Sequence, residues 1–184
     1  MALKLDWLKV ERDAEWLLEI YKPFVLETAI TFELELPTLS DFSARISKIH
    51  NTHPFIVAIE NSQTIGYAYA NVFRERKAYD WIKELSVYVH PAFQKKGVGI
   101  KLYQTLMEIL TQQGICRVVG GIALPNEKSV KFHEKLGFQH VGTFVKSGYK
   151  FNQWWDVGFW DKELNSTAKE IIPISELRKH SLES

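Results

Sequence analysis

The chain has 184 residues, of which 46% are hydrophobic and 24% charged. This composition fits one globular domain and excludes a disordered or low-complexity protein. The net charge of +1 gives no broad electrostatic reason to expect a nucleic acid as partner. The single cysteine, Cys116, excludes an intrachain disulfide and a cysteine-rich metal site, and we expect a cytoplasmic protein without a metal. No segment of the sequence approaches the roughly 20 apolar residues that cross a bilayer, so we expect no membrane partner.

The hydrophobic pattern predicts, in chain order, a strand, two helices, three strands, a helix, a strand, a helix and two strands. We expect Pro23 to kink or split the first helix. Hairpins mixed with strand-helix-strand passages favour an α/β or α+β sheet covered by helices over a regularly alternating fold. We assign residues 1–164 to one domain and the polar residues 165–184 to a C-terminal tail. The predicted strands cover 3–10, 55–59, 64–70, 81–89, 115–122, 138–145 and 149–160.

A glycine-bearing turn follows the fourth predicted strand and reads Gln94-Lys95-Lys96-Gly97-Val98-Gly99-Ile100. Glycines at a helix start let the backbone approach a ligand closely, and the free amides with the positive end of the helix dipole favour an anion such as a pyrophosphate. The turn is neither a P-loop nor the G-x-G-x-x-G dinucleotide fingerprint. On its own it is equally compatible with a plain loop.

This turn and the segments around it resemble the acetyl-CoA site of the GNAT acetyltransferase superfamily. The segments are Leu85-Ser86-Val87-Tyr88-Val89, then Asn126, then Phe132-His133-Glu134-Lys135-Leu136-Gly137-Phe138. Within the superfamily, segments 78–81, 124–126 and 148–160 resemble the phosphinothricin and methionine sulfoximine N-acetyltransferases, a likeness that runs from about Val10 to Leu164. The resemblance implies the GNAT acyl-CoA N-acyltransferase fold. That fold is a mixed central β-sheet, splayed between the fourth and fifth strands and flanked by helices.

The resemblance also implies acetyl-CoA as cosubstrate and no metal. The pantetheine arm would pair with the main chain of the fourth strand, and the turn amides would bind the pyrophosphate. Asn126 corresponds to a position that contacts the cofactor arm, although simple capping of the following helix is equally compatible. The implied cofactor-binding residues are Val87, Tyr88, Val89, Gln94, Lys95, Lys96, Gly97, Val98, Gly99, Ile100 and Asn126.

The reaction needs a neutral amine, because an ammonium has no lone pair with which to attack a thioester. Glu84 lies in an otherwise apolar strand that would raise its pKa, and it matches the family's proposed general base. Alternatively, Glu84 faces solvent and pairs with Lys83 or another neighbour. His133 occupies the slot where many GNAT enzymes carry a tyrosine acid, and it is either a catalytic acid or a hydrogen-bonded packing residue. Alternative proton donors are Tyr88, Tyr103 and Tyr149.

An anionic acceptor would meet the basic segment that follows the predicted hairpin. Arg74 and Arg76 suit a bidentate grip on a carboxylate, with Phe73 as a wall, although a solvated charged loop would look the same. In the related enzymes the segment equivalent to residues 27–32 faces the acceptor, which implies that Phe32 is an apolar lid on it. Those relatives are commonly homodimers in which groups near Lys146 and Tyr149 reach the partner's site, so the resemblance implies a homodimer. The implied acceptor-binding residues are Phe32, Phe73, Arg74, Arg76, Glu84, Lys146 and Tyr149.

We therefore expect an acetyl-CoA-dependent N-acetyltransferase that acts on the α-amino group of a small amino-acid analogue by direct attack in a ternary complex. Phosphinothricin, methionine sulfoximine and methionine sulfone are the implied acceptors. The alternatives are another amine acceptor, such as a polyamine, an antibiotic or a protein N-terminus, and a non-catalytic acyl-CoA-binding module.

Overall fold

The computed structural model describes residues 3–94, 96–180 and 182. Two single-turn 3-10 helices, Lys77–Tyr79 and Pro91–Phe93, flank the fourth strand. The strands are β1 (Lys4–Trp7), β2 (Phe55–Glu60), β3 (Gln63–Val72), β4 (Ile82–Val89), β5 (Arg117–Leu124), β6 (Gln139–Lys150) and β7 (Gln153–Glu163). The α-helices are α1 (Val10–Glu27), α2 (Leu39–Thr52), α3 (Val98–Gln113), α4 (Glu127–Lys135) and α5 (Ile174–Leu177). Up to β7 the order of elements is the predicted one.

The strands form one mixed sheet in the order β1-β2-β3-β4-β5-β7-β6. The β4/β5 pair is parallel and the other neighbours are antiparallel. Along the described length of these two strands, β4 pairs with β5 only where Ile82–Glu84 faces Arg117–Val119. Beyond that point β4 continues along β3, and β5 continues along β7. The sheet therefore splays between its fourth and fifth strands in chain order, which confirms the predicted fold.

Two apolar layers cover the sheet. On one face α1 and α2 pack on β2 and β3, where the buried side chains include Leu17, Val25, Phe42, Phe55 and Tyr67. On the other face α3 packs on the centre of the sheet, and its buried side chains include Leu102, Leu106 and Leu110. Of the helices in the described part of the chain, none combines the length and apolar character that crossing a membrane requires.

The helix ends follow the capping residues in the sequence. Thr38 caps α2, where its Oγ1 accepts from Asp41 N at 3.1 Å. Gly114 ends α3 with φ +92°, a left-handed conformation that glycine adopts without a Cβ penalty. The expected split of α1 at Pro23 is wrong, because α1 continues to Glu27 as a single helix. The carbonyl that a proline leaves unpaired belongs to residue i−4, here the exposed Glu19, where water can reach it.

The boundary of the last hairpin differs from the predicted one. The sequence pattern breaks at 146–148, but β6 runs through this break to Lys150. The break is an irregularity within the strand, since the register shifts between Phe144 and Gly148 and Lys146 has φ +51°. The turn itself lies at Phe151 and Asn152, both with positive φ. The interruption of the strand pattern at 146–148, which predicted a loop, therefore marks a β-bulge.

The C-terminal segment packs on the domain. Ile174 is buried in the core beneath α3, and Ile172 N donates to Gln113 O at 2.9 Å. Farther along, Arg178 Nη2 donates to His53 O at 3.1 Å. The segment expected to be a tail therefore supplies a helix, α5, and part of the core.

Candidate functional site

The gap between β4 and β5 leads to the first turn of α3. Gly97 precedes this helix with φ +81°, and Lys101 N donates to Gly97 O at 3.0 Å as the first bond of the helix. The amides of Val98, Gly99 and Ile100 therefore have no partner within the helix. Lys95, predicted to bind the cofactor, lies outside the described residues. Lys96 lies over the ring of Phe93, with Nζ 4.9 Å from its centroid.

Contacts around Gly99 bring three elements of the gap together. A Cβ at this position would lie 3.5 Å from the Phe132 ring of α4 and 3.6 Å from Val89 of β4. Gln94 Nε2 donates to Val89 O at 3.2 Å, which ties the turn to the end of β4. The helix amides, the turn and the end of β4 thus form a continuous backbone surface.

The side chains of β4 beside the gap point into the two faces of the sheet. Tyr88 packs edge-on against Tyr21 and Phe24, each with centroids 5.1 Å away. Val87 and Val89 face the opposite core. The edge of β4 toward the gap therefore presents main-chain donors and acceptors, which a strand-like pantetheine arm can pair with. Together with the α3 amides, this edge fits a ligand in which an extended arm is joined to a diphosphate.

Asn126 caps α4. Its Oδ1 accepts from Ser129 N at 3.2 Å, as the capping interpretation of the sequence requires. A direct contact of Asn126 with the cofactor arm stays a prediction.

Glu84 stands at the last residue pair before β4 and β5 separate. Its Oε1 lies 3.2 Å from where a Cβ on Gly121 would be, and the Phe159 ring lies 3.5 Å from the same point. Burial raises the pKa of Glu84. Within residues 3–94, 96–180 and 182, Glu84 makes no ion pair of 4.0 Å or less, Lys83 included. A half-buried carboxylate without a cation is suited to exchange a proton near neutral pH.

His133 is locked in the interior by both ring nitrogens. Its Nδ1 lies 2.8 Å from Ser129 O, and because a carbonyl only accepts, Nδ1 carries the proton. The Nε2 atom then accepts from the hydroxyl of Tyr103 at 3.0 Å. The ring presses on β5, where a Cβ on Gly120 would lie 2.5 Å from Nε2. Burial lowers the pKa of His133, so the neutral tautomer fixed by Ser129 is the favoured form.

The predicted arginines lie on the segment just beyond β3. On that strand Asn71 is the register partner of Glu84, so the segment begins beside the proposed base. Arg74 and Arg76 are exposed, and neither forms an ion pair of 4.0 Å or less in the described part of the chain. The guanidinium of Arg74 lies over Phe73, 5.4 Å from the ring centroid. These side chains are accessible to an anionic ligand.

The other predicted acceptor residues meet β6. The ring of Phe32, from the segment between α1 and α2, occupies the place that a side chain on Gly148 would take. Tyr149 is 53% exposed and packs edge-on against Trp154. Lys146 is exposed, and its main-chain N donates to Asp156 Oδ1 at 2.8 Å. Phe32 is thus seated on the sheet, whereas Lys146 and Tyr149 face outward on an edge strand.

The sequence analysis assigned no role to three residues of this region. Gly121 and Phe159 surround the Glu84 carboxylate. Lys150 is buried under the segment that carries Phe32. Adjacent glycines inside a predicted central strand are a signal of close approach by another group. The sequence offers no such signal for Phe159 or Lys150.

Comparison with known proteins gives a consistent result. Residues 8–158 match the family described as acetyltransferase (GNAT) domain. Phosphinothricin N-acetyltransferase of Streptomyces viridochromogenes is 34% identical over 161 residues, which are 86% of this chain and 88% of the relative. L-methionine sulfoximine/L-methionine sulfone acetyltransferase of Salmonella typhimurium is 32% identical over 157 residues, which are 85% and 92% of the two chains.

Solved structures agree with this likeness. A GNAT superfamily phosphinothricin acetyltransferase from Sinorhizobium meliloti, solved in complex with acetyl-CoA, has a TM-score of 0.87 and 30% identity and covers 94% of this chain and 97% of its own. An N-acetyltransferase from Staphylococcus aureus has a TM-score of 0.86 and 31% identity, with 90% of this chain and 100% of its own covered.

Proposed function

The chain belongs to the family of GNAT acetyltransferases, and we propose that it acetylates the α-amino group of a small amino-acid analogue such as phosphinothricin, methionine sulfoximine or methionine sulfone. It is an acetyl-CoA-dependent N-acetyltransferase. The proposal concerns the acceptor and the roles of individual residues. The observation that carries it is the position of Glu84, a half-buried carboxylate at the point where β4 and β5 separate, with no ion pair to any other residue that the structure describes.

When bound, acetyl-CoA supplies a thioester whose acyl carbon a neutral amine can attack directly. The amides of Val98, Gly99 and Ile100 bind the diphosphate, and the main-chain edge of residues 87–89 pairs with the pantetheine arm. Glu84 removes a proton from the acceptor ammonium, directly or through one water. The raised pKa of Glu84 brings its proton affinity closer to that of an α-amino group, which favours this transfer.

Arg74 and Arg76 bind the carboxylate or phosphinate of the acceptor, and Phe32 and Phe73 cover its side chain. Two observations support this assignment: both guanidinium groups are exposed without an ion pair among the described residues, and their segment continues from the register partner of Glu84. A polycationic acceptor would be repelled by this pair of arginines. Relatives named for phosphinothricin and for methionine sulfoximine are consistent with an acceptor that bears an acidic group.

A general-acid role for His133 stays part of the proposal. With its Nδ1 proton held by the Ser129 carbonyl, neutral His133 has only a lone pair at Nε2, which accepts from the hydroxyl of Tyr103. His133 can therefore act as an acid only after Nε2 has itself taken up a proton, which it would then return through the hydroxyl of Tyr103. Replacement of Tyr103 by Phe removes that hydroxyl and keeps the ring. If His133 takes part, this variant has a lower kcat and an altered alkaline limb of its pH profile.

We further propose a cytoplasmic homodimer that forms through β6. This strand is an edge of the sheet, and it exposes Val141 at 58%, Phe144 at 62% and Val145 at 70%. Exposed apolar residues on an edge strand are typical of an interface. Light scattering should give the mass of two chains, and Val145→Asp should shift it to one. A wild-type monomer at working concentrations would contradict the proposal.

A thiol-release assay with acetyl-CoA tests the acceptor class. The panel contains amino acids, sulfoximines, sulfones, phosphinates and polyamines. We expect the highest kcat/KM with amino-acid analogues that carry a second acidic or strongly polar group. Preference for polyamines would assign another acceptor, and the absence of thiol release with every amine of the panel would favour a non-catalytic acyl-CoA-binding module.

A further inference from the structure

Lys150, the last residue of β6, is a buried lysine with two defined partners. Its side chain is 3% exposed, and Nζ donates to Val25 O at 2.6 Å and to Thr31 O at 2.8 Å. Val25 lies in the last turn of α1, where carbonyl oxygens have no partner within the helix. Lys150 therefore joins the end of α1 and the following segment to the sheet.

The segment between α1 and α2, residues 28–38, is held at several points beside Lys150. The Oγ1 of Thr31 hydrogen-bonds the hydroxyl of Tyr21 at 2.7 Å. Phe32 packs on Gly148, two residues before Lys150 in β6. Glu33 forms an ion pair with Arg45 of α2. The segment thus sits between β6 and α2, and it carries the proposed acceptor lid, Phe32.

The chemistry at Lys150 is unusual for a group whose only task is stability. Both partners are neutral carbonyl oxygens, and within the described residues no carboxylate lies within 4.0 Å of Nζ. Glu33 acts on this ammonium only from beyond ion-pair distance. Burial of an ammonium without a contacting counter-charge is costly, and an apolar side chain of similar shape often stabilises such a place better. The ammonium instead provides directional hydrogen bonds, which fix the positions of two carbonyl groups relative to β6.

We propose that Lys150 is a positioning residue that sets the location of residues 28–38, and with it the affinity for the acceptor. The proposal rests on the proposed function, in which Phe32 covers the acceptor. Lys150 itself contacts neither the acceptor nor acetyl-CoA. Its loss releases Phe32 from Gly148 without altering the β4/β5 gap or the first turn of α3, where the carrier binds.

The kinetic test compares Lys150→Met with Lys162→Met. Lys162 is a matched control, since its Nζ also donates to a carbonyl, Leu136 O at 2.6 Å, at the far end of α4. We expect Lys150→Met to raise the acceptor KM about tenfold while kcat and the acetyl-CoA KM change by less than about twofold. Lys162→Met should leave the acceptor KM unchanged. Gly148→Ala, which displaces Phe32 while Lys150 stays, should also raise the acceptor KM.

Amide hydrogen exchange gives a readout that does not depend on activity. In Lys150→Met, residues 28–38 should exchange faster while β5 and α3 keep the wild-type rates. Faster exchange throughout the chain would show general destabilisation and overturn the proposal, as would an unchanged segment 28–38 or an equal rise in both KM values. If wild type fails to acetylate any amino-acid analogue, the proposed function fails, but exchange at residues 28–38 still decides the role of Lys150.

Discussion

Glu84 and His133 lie on opposite faces of β5, one beside Gly121 and the other beside Gly120. Successive residues of a strand point to opposite faces, so these two glycines make room for one side chain on each side. The two residues that the sequence assigned to one reaction are therefore separated by a strand. Any cooperation between them runs through the β4/β5 gap and not through direct contact.

Replacement of Glu84 by Gln keeps the shape of the side chain and removes the base. We expect kcat to fall by about 10²-fold or more, in the range typical of general bases, while the KM for acetyl-CoA changes little. Glu108→Gln, on an exposed position of α3, is the matched control and should behave as wild type. Steady-state kinetics with both substrates varied make the measurement.

The pH profile gives a second test of Glu84. Burial raises the pKa of this carboxyl. On acidification, kcat/KM should therefore begin to decline at a pH above the ordinary pKa of a carboxyl group, because the protonated acid cannot accept a proton. Glu84→Gln should lose this limb. A variant that retained the acidic limb would show that another group titrates.

Alanine at the two central glycines should act differently on the two faces. In Gly121→Ala the new Cβ meets the flexible end of Glu84 at 3.2 Å, so the carboxylate shifts and kcat drops with little loss of stability. In Gly120→Ala the Cβ would lie 2.5 Å from a ring that two hydrogen bonds hold in place. Thermal unfolding should therefore show a loss of roughly 1–3 kcal/mol for Gly120→Ala, as for other overpacked sites. Equal stability of the two variants would contradict this account.

Loss of either arginine beyond β3 should weaken acceptor binding selectively. We expect Arg74→Gln and Arg76→Gln each to raise the acceptor KM by about tenfold or more, and the acetyl-CoA KM to stay near wild type, because a charge-assisted contact to the acceptor is removed. Arg12→Gln, which removes a guanidinium that pairs with Asp6 and Asp13, tests for general effects. An unchanged acceptor KM in both arginine variants would place the anion site elsewhere.

The fold should lose stability between about pH 6.5 and pH 4. Burial lowers the pKa of His50 and of His53 to about 4, so in this range the unfolded chain binds more protons than the native protein. The free energy of unfolding then rises with pH and falls as the solution is acidified. Each histidine contributes roughly 1–3 kcal/mol. His53→Gln should flatten the pH dependence measured by urea unfolding, whereas replacement of the exposed His180 should not.

Local rules were sufficient to predict the elements and their order up to β7. Hydrophobic period, the Thr38 cap and the Gly114 stop all act within a few residues, so the sequence reveals them without knowledge of the packing. The bulge near Lys146 escaped prediction because a bulge and a loop have the same composition. The expected split at Pro23 was wrong because the effect of a proline on a helix depends on whether water reaches the carbonyl one turn earlier, and the local sequence does not reveal that exposure.

The candidate site was predictable only where one segment carries it. The turn before α3 and the strand that holds Glu84 could be proposed from the sequence, because each is a continuous run of residues whose pattern is visible without the tertiary fold. The pairing of Glu84 with Gly121 and Phe159, and of Lys150 with Val25 and Thr31, joins residues that only the tertiary fold brings together. The separation of His133 from Glu84 likewise depends on which face of β5 each one reaches.

The C-terminal segment constrains the order in which the protein can be completed. Ile174 fills the core under α3, Trp81 donates to Lys169 O at 2.7 Å, and Arg178 reaches the end of α2. These contacts join positions that leave the ribosome far apart in time. A nascent chain that already holds every strand of the sheet therefore still exposes apolar surface beneath α3, and only the segment that follows β7 covers it.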